Sequence, residues 1–157
     1  MRVNKEQNAH KRSKGSTSPV KKTHGIKAQL VAEEQTEEIL KIDCAKEKVH
    51  DFELYKRSKL RLHPNTEVLV DLGYLGIKKL RENAKIPFKS SKHHPLTKEQ
   101  KRFNKQHSQR RIKIENIIRR CKIFKIVQQT YRGKHKNYGL VWNVVAGLIN
   151  LKNEKIN

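Results

Sequence analysis

The stretch Glu67-Val-Leu-Val-Asp-Leu-Gly-Tyr-Leu-Gly76 decides how the rest of this chain can be arranged. Its three consecutive apolar residues, 68–70, predict a strand that is buried on both faces, as the strands of a parallel sheet are. Asp71 then stands at the carboxyl end of that strand, which is the edge where open α/β sheets bind their ligands. The alternative is that Asp71 is the ordinary first residue of a turn, because Gly73 follows closely.

Upstream of this strand the sequence predicts two more strands and a helix. Apolar residues alternate loosely over residues 25–32, and residues 39–44 repeat the pattern. The acidic connection between them, residues 33–38, lacks glycine, although tight hairpins favour residues that tolerate a positive φ. Residues 50–59 follow as a helix, in which Asp51 is favourable near the positive end of the helix dipole.

Downstream, the chain alternates helices with basic segments. Residues 77–83 predict a short helix, and residues 85–98 a basic loop. Thr97 and Gln100 have the spacing of a capping box, which predicts the start of a long helix. Apolar residues recur along that helix and form one stripe, made of Phe103, His107, Ile114, Ile117, Cys121 and Phe124. The apolar segment 140–151 predicts a buried terminal helix.

Glu115 lies at the border between this stripe and the exposed side of the predicted helix. At 3.6 residues per turn, the cations Arg111, Arg119 and Lys122 lie near the same side as Glu115. A carboxylate in this position can bind a metal while the neighbouring cations hold a phosphate backbone. The alternative is a solvent-exposed ladder of ion pairs, which contributes little to stability.

The composition limits the classes of function. The chain has 157 residues, a formal net charge of +22 and 34% hydrophobic residues, which predict one domain with a modest core and a polyanion as partner. Cys44 and Cys121 lack zinc-like spacing and suit a reducing compartment. The N-terminus has no secretory signal, and residues 140–151 are too short to span a bilayer. These features predict a soluble, cytoplasmic, nucleoid-associated protein without a membrane partner.

The domain organisation follows from the same patterns. Residues 1–22 are polar and predict a basic flexible arm, residues 23–151 predict the folded domain, and residues 152–157 predict a tail. Within the domain, Asp71 and Glu115 together indicate phosphodiester chemistry, because cleavage at a two-metal site needs several carboxylates around ions about 3.5–4 Å apart. No Asp or Glu upstream lies in a buried strand, so the residues alone predict an incomplete metal site.

Several short motifs occur in a fixed order along the chain. They are Thr23-His-Gly-Ile-Lys-Ala-Gln29, His50-Asp-Phe-Glu-Leu54, Val68-Leu-Val-Asp-Leu-Gly-Tyr-Leu-Gly76, Pro87-Phe-Lys89 with Pro95-Leu-Thr97, Arg111-Ile-Lys-Ile-Glu115 with Lys122 and Phe124, and Tyr131-Arg132. In this order and spacing the chain, from about Lys21 to Asn150, resembles the DDE superfamily endonuclease domain of bacterial insertion-sequence transposases. Within that superfamily it is similar to the fourth DDE transposase type.

The resemblance implies a ribonuclease-H-like (integrase-like) α/β fold that binds the double-stranded DNA of transposon ends. It implies Mg²⁺ or Mn²⁺ as cofactor, DNA cleavage by water, and strand transfer by the freed 3′ hydroxyl. Asp71 matches the family's second catalytic Asp and Glu115 its catalytic Glu, and both are expected to bind the metal. The residues expected to contact DNA are Arg111, Arg119, Lys122, Lys89, Lys92 and Arg132.

Other positions depart from the family pattern. The family's first catalytic Asp lies on a strand shortly before the basic segment, and Met1 follows that point. The expected fold is therefore incomplete, lacking its first, central strand, and the expected metal site is incomplete as well. Glu37 and Arg119 stand where family members usually have glycine, and Ser108 stands where they have tyrosine.

These observations predict a fragment of a DDE transposase that is catalytically inactive because its first Asp is missing. Whether the fragment acts as an enzyme is left open by the sequence. One alternative is a non-enzymatic DNA-binding regulator or competitor of transposition, with self-association of the chain as a further expectation. Another alternative, which depends on charge alone, is a basic RNA-binding protein.

Overall fold

A single mixed sheet organises the structure, which is a computed structural model that describes the backbone of residues 2–7 and the whole of residues 25–154. The strands are β1 (Arg2–Gln7), β2 (Ile26–Ala32), β3 (Ile39–Lys46), β4 (Val68–Leu69) and β5 (Ala84–Lys85). Their order across the sheet is β3-β2-β1-β4-β5. The first three strands are antiparallel to one another, whereas β4 runs parallel to β1 and β5 runs parallel to β4.

The structure describes four α-helices. They are α1 (Asp51–Arg57), α2 (Lys98–Lys122), α3 (Lys125–Gln128) and α4 (Tyr138–Glu154), and short 3-10 helices cover Leu72–Tyr74, Ile77–Lys79 and His135–Asn137. Of these helices, α1, α2 and α4 contact the sheet, in agreement with the predicted α/β class. The capping box predicted for the long helix is present, because Thr97 accepts from the Gln100 backbone and Gln100 accepts from the Thr97 backbone. None of the helices that the structure describes has the length and apolarity needed to cross a membrane.

The expectation that the sheet lacks its first, central strand was wrong. β1 pairs with β2 over six residues, from Arg2 opposite Ala32 to Gln7 opposite Lys27, and with β4 through Arg2 and Leu69. The polar side chains of residues 1–22 predict a flexible arm, but a central strand is held by backbone hydrogen bonds to both neighbours. Residues 8–22 of the expected arm lie outside the described residues.

The connection between β2 and β3 contains a residue with a positive φ, although its sequence has no glycine. Glu37 has φ of 57°, in the left-handed region that a residue with a side chain rarely adopts. The Glu33 N–H donates to the Glu38 carbonyl at 2.9 Å, and Arg120 Nη2 of α2 lies 2.6 Å from Glu37 Oε2. Contacts from α2 therefore hold a conformation for which related sequences are expected to use glycine.

The sheet separates two hydrophobic clusters. On one face, Leu30 packs with residues of α2 and α4, including Trp142, which is fully buried. On the other face, Val31, Val68 and Tyr74 pack with residues of α1. Because side chains alternate along a strand, the neighbours Leu30 and Val31 enter different clusters. The sheet is therefore covered on both faces, as an α/β fold requires.

Three local predictions differ from the structure. The short helix predicted over 77–83 is a single 3-10 turn, and β5 follows it. The terminal helix continues to Glu154, past the end near residue 151 that the sequence predicts for it. The strand before Asp71 has only two residues with strand pairing, because its partner β5 is equally short.

Candidate functional site

Asp71 lies directly beyond β4 and begins the 3-10 helix Leu72–Tyr74. Its backbone is extended, and its Oδ1 accepts a hydrogen bond from the Gly73 N–H at 2.8 Å. This is the turn-starting role that the sequence offered as the alternative for Asp71. It fixes the carboxylate at the carboxyl end of β4.

A buried ion pair lies beside this turn. Lys27 Nζ of β2 is 2.5 Å from Asp51 Oδ1 at the start of α1, and the two side chains are 3% and 11% exposed. The sequence predicted only a helix start at Asp51 and assigned no role to Lys27. The available signal was a lysine inside a largely apolar strand, but its partner lies 24 residues away along the chain.

Gly73 brings the two aspartates together. A Cβ atom placed on Gly73 would lie 2.5 Å from Asp51 Oδ2 and 3.0 Å from Asp71 Oδ1. The two oxygens are therefore at most 5.5 Å apart, the sum of those distances. The turn after β4 thus holds two carboxylates in close proximity, and Lys27 offsets the charge of one of them.

Tyr74 and Gln29 form a further buried polar contact on this face of the sheet. The Tyr74 hydroxyl donates to Gln29 Oε1 at 3.3 Å, and both residues are almost fully buried. Burial and the nearby charges of Asp71 and Asp51 raise the pKa of Tyr74 well above its usual range. The phenol therefore remains a neutral hydrogen-bond donor that helps to support the turn.

Two arginines set the rotation of α2. Arg110 Nη2 lies 2.5 Å from Glu34 Oε2 and its Nη1 lies 2.6 Å from Glu67 Oε1, while Arg120 pairs with Glu37. These glutamates follow β2 or precede β4. They therefore lie at the end of the sheet where β2 finishes and β4 begins.

Glu115 lies five residues from each of these arginines. At about 100° per residue, it lies about 140° around the helix from Arg110 in one sense and from Arg120 in the other. Glu115 therefore lies on a different side of α2 from Arg110 and Arg120. Its carboxylate is 55% exposed, with Arg111 Nη2 at 3.7 Å. The role of Asp71 and Glu115 as metal ligands stays a prediction.

The chemistry of these side chains suits a hard divalent ion only in part. Carboxylate oxygens are the ligands that Mg²⁺ and Mn²⁺ prefer. Among the side chains that the structure describes, however, no group of three or more His, Cys, Asp or Glu residues could hold a metal ion. The carboxylate of Asp51, which lies close to Asp71, is paired with Lys27. The described side chains therefore do not by themselves fit the two-metal site that the resemblance implies.

The six cations expected to contact DNA lie on three elements. Lys89 and Lys92 are on the loop between β5 and α2, Arg132 is between α3 and α4, and Arg111, Arg119 and Lys122 are on α2. Four of the six are exposed, whereas Arg111 and Lys122 are half-buried. Their joint use as one DNA surface stays a prediction.

Comparison with known proteins places this geometry in context. A family model described as DDE superfamily endonuclease matches residues 1–150. The chain is 38% identical over 127 residues to a protein of Microchaete diplosiphon named probable transposase for insertion sequence element IS702. That match covers 81% of the chain but 46% of the relative, so the chain spans less than half of the relative's length. No solved structure matches the chain significantly.

Proposed function

The chain belongs to the DDE superfamily endonucleases, and from this premise we propose that it is part of an insertion-sequence transposase that binds duplex DNA. The proposed fold is ribonuclease-H-like. Support for it comes from the central position of the first strand and from the change to parallel pairing at β4. Asp71 at the end of β4 and Glu115 on α2 are the proposed members of the catalytic set.

The distribution of charge on α2 is the observation that carries the proposal of DNA binding. Arg110 and Arg120 form ion pairs with glutamates of the connection between β2 and β3. The helix also carries exposed cations that have neither an ion-pair nor a hydrogen-bond partner for their side chains among the described residues, namely Lys98, Lys101, Arg102, Lys105 and Arg119. Unpaired exposed cations on one long helix and its preceding loop form a surface that attracts phosphate.

The chain is further proposed to bind DNA without cutting it. The family chemistry needs a first Asp, and β1 carries Glu6 as its only acidic residue. Asp71 and Glu115 would then be two carboxylates for two ions, which is too few to fix both. A chain that occupies transposon ends without cutting them would act as a competitor of transposition.

We expect no metal-dependent nicking or joining of transposon-end DNA by the purified chain. The measurement is gel analysis of end-labelled duplex incubated with Mg²⁺ or Mn²⁺, with EDTA as the control. The matched variants are Asp71→Asn and Glu115→Gln, each of which removes one carboxylate charge with little change of shape. Cleavage that depends on metal and disappears in both variants would contradict the proposal of inactivity.

We expect tighter binding to duplex DNA than to duplex RNA of the same sequence at the same salt concentration. Both duplexes present dense phosphate, so charge alone gives no preference for DNA, whereas a DNA-binding surface recognises B-form grooves that A-form RNA lacks. Fluorescence anisotropy with labelled 30-mers, on the order of three helical turns, measures both affinities. Equal or tighter binding of RNA would instead favour a basic RNA-binding protein.

A further inference from the structure

Phe88 is unlike every other aromatic residue of the chain. The sequence contains four Phe, four Tyr and one Trp, and eight of these nine side chains are buried or half-buried. Phe88 is 45% exposed, on the loop between β5 and α2. An exposed phenyl ring is normal on a surface by itself, so its surroundings decide whether it has a role.

The ring is held rigidly in its exposed position. Asn104 of α2 accepts from the Phe88 N–H at 2.8 Å and donates to the Phe88 carbonyl at 2.9 Å, so one side-chain amide fixes both backbone polar groups. The rings of Phe88 and Phe103 pack edge to face, with centroids 5.3 Å apart. The exposure of Phe88 is therefore a fixed feature of the loop.

The support extends back to the sheet. Phe103 contacts the His107 ring, with centroids 6.0 Å apart, and His107 Nε2 lies 3.2 Å from the Lys85 carbonyl at the end of β5. Burial lowers the pKa of His107, so the neutral ring can donate to that carbonyl. A continuous set of contacts thus connects β5, α2 and Phe88.

The residues around Phe88 in the sequence are positively charged, and no acidic residue lies among them. Residues 83–98 contain four lysines, two histidines and no Asp or Glu. On α2, Lys101 and Lys105 flank Asn104, and both are exposed. A rigid aromatic face among cations is the combination that binds unpaired nucleotides, because the cations contact phosphates while the ring stacks on a base.

We propose that Phe88 is a stacking platform for an unpaired nucleobase of DNA, whose backbone is held by the lysines around it. The proposal rests on DNA binding by this surface and goes further, because it names the part of the DNA that is recognised. Inside a duplex each base is covered on both faces by its neighbours, and a base at a blunt end is still held by its pairing partner, so an overhanging, frayed or flipped base is the one that can move to stack on Phe88. A protein partner is disfavoured, because an apolar contact with Phe88 would bring that partner against several lysines, whose positive charges would need matching acidic groups.

The test compares two duplexes that differ only in one unpaired 2-aminopurine at an end. For Phe88→Ala and Phe88→Leu we expect about 5- to 150-fold weaker binding of the duplex with the unpaired base, and unchanged binding of the blunt duplex. Phe88→Trp should keep the affinity, since it retains an aromatic face. The fluorescence of 2-aminopurine should fall on binding to the natural chain and to Phe88→Trp, and should not fall with the other two variants.

Three results would overturn the stacking platform while leaving DNA binding in place. The first is equal affinity of Phe88→Ala and the natural chain for the unpaired base. The second is full affinity in Phe88→Leu, which would indicate a general apolar contact. The third is an equal loss on the blunt duplex. Thermal melting followed by circular dichroism checks that each variant is folded, and failure of the natural chain to bind either duplex would refute the proposed function itself.

Discussion

Lys27→Met is expected to lower the free energy of unfolding by about 3–5 kcal/mol, because it leaves the Asp51 carboxylate buried without its cation. The pair is 2.5 Å apart and both side chains are at least 89% buried. Asp51 also lies against Gly73, so an uncompensated charge there would displace the turn that holds Asp71. Urea unfolding followed by circular dichroism measures the change in free energy.

The matched control is Lys56→Met, which removes the same charge from an exposed pair on the same side of the sheet. Lys56 Nζ lies 2.5 Å from Glu53 Oε2, but the two side chains are 46% and 38% exposed. An exposed pair of this kind contributes about 0–1 kcal/mol. The double variant Lys27→Met with Asp51→Asn should recover part of the loss, because it removes the orphaned charge. Equal destabilisation by Lys27→Met and Lys56→Met would contradict a stabilising role for the buried pair.

The elements that the sequence predicts well are those with a local signal. The alternation of residues 25–32 and 39–44 predicts β2 and β3, and the Thr97 capping box predicts the start of α2 within one residue. Each of these features depends on residues close together in the chain.

The elements that the sequence misses are those that depend on distant partners. β1 has a polar sequence and is defined by its pairing with β2 and β4. β5 has two residues and forms only against β4. Neither strand has a hydrophobic period of its own, so no pattern within a short window can reveal it.

The candidate site divides in the same way. Asp71 and Glu115 can be chosen from the sequence, because each lies in a recognisable motif. The pairing of Lys27 with Asp51, and the approach of Asp51 to Asp71, require the sheet to bring β2, α1 and the turn after β4 together. The exposure of Phe88 is likewise decided by Asn104, which lies 16 residues further along the chain.

DNA binding by this chain is expected to weaken by about 10³-fold between 50 and 200 mM salt. Counting only the six cations that the family resemblance predicts to contact DNA, counterions are displaced from about six phosphates, which gives a slope of about −5.4 in log affinity against log salt. Fluorescence anisotropy titrations of one duplex at four or more salt concentrations, roughly spanning that range, measure the slope. An affinity that hardly changes with salt would contradict an electrostatic interface.

Two double variants distinguish the effect of a defined DNA-binding surface on the salt dependence from the effect of the total charge of the chain. Lys89→Ala with Lys92→Ala removes two cations next to β5 and should reduce the slope by about 1.8. Lys46→Ala with Lys48→Ala removes two exposed lysines at the end of β3, on the opposite edge of the sheet, and should leave the slope nearly unchanged. Both variants lower the net charge of +22 by the same amount. Equal changes of slope would therefore show that DNA responds to the overall charge of the chain and would refute a defined surface formed by α2 and the loop before it.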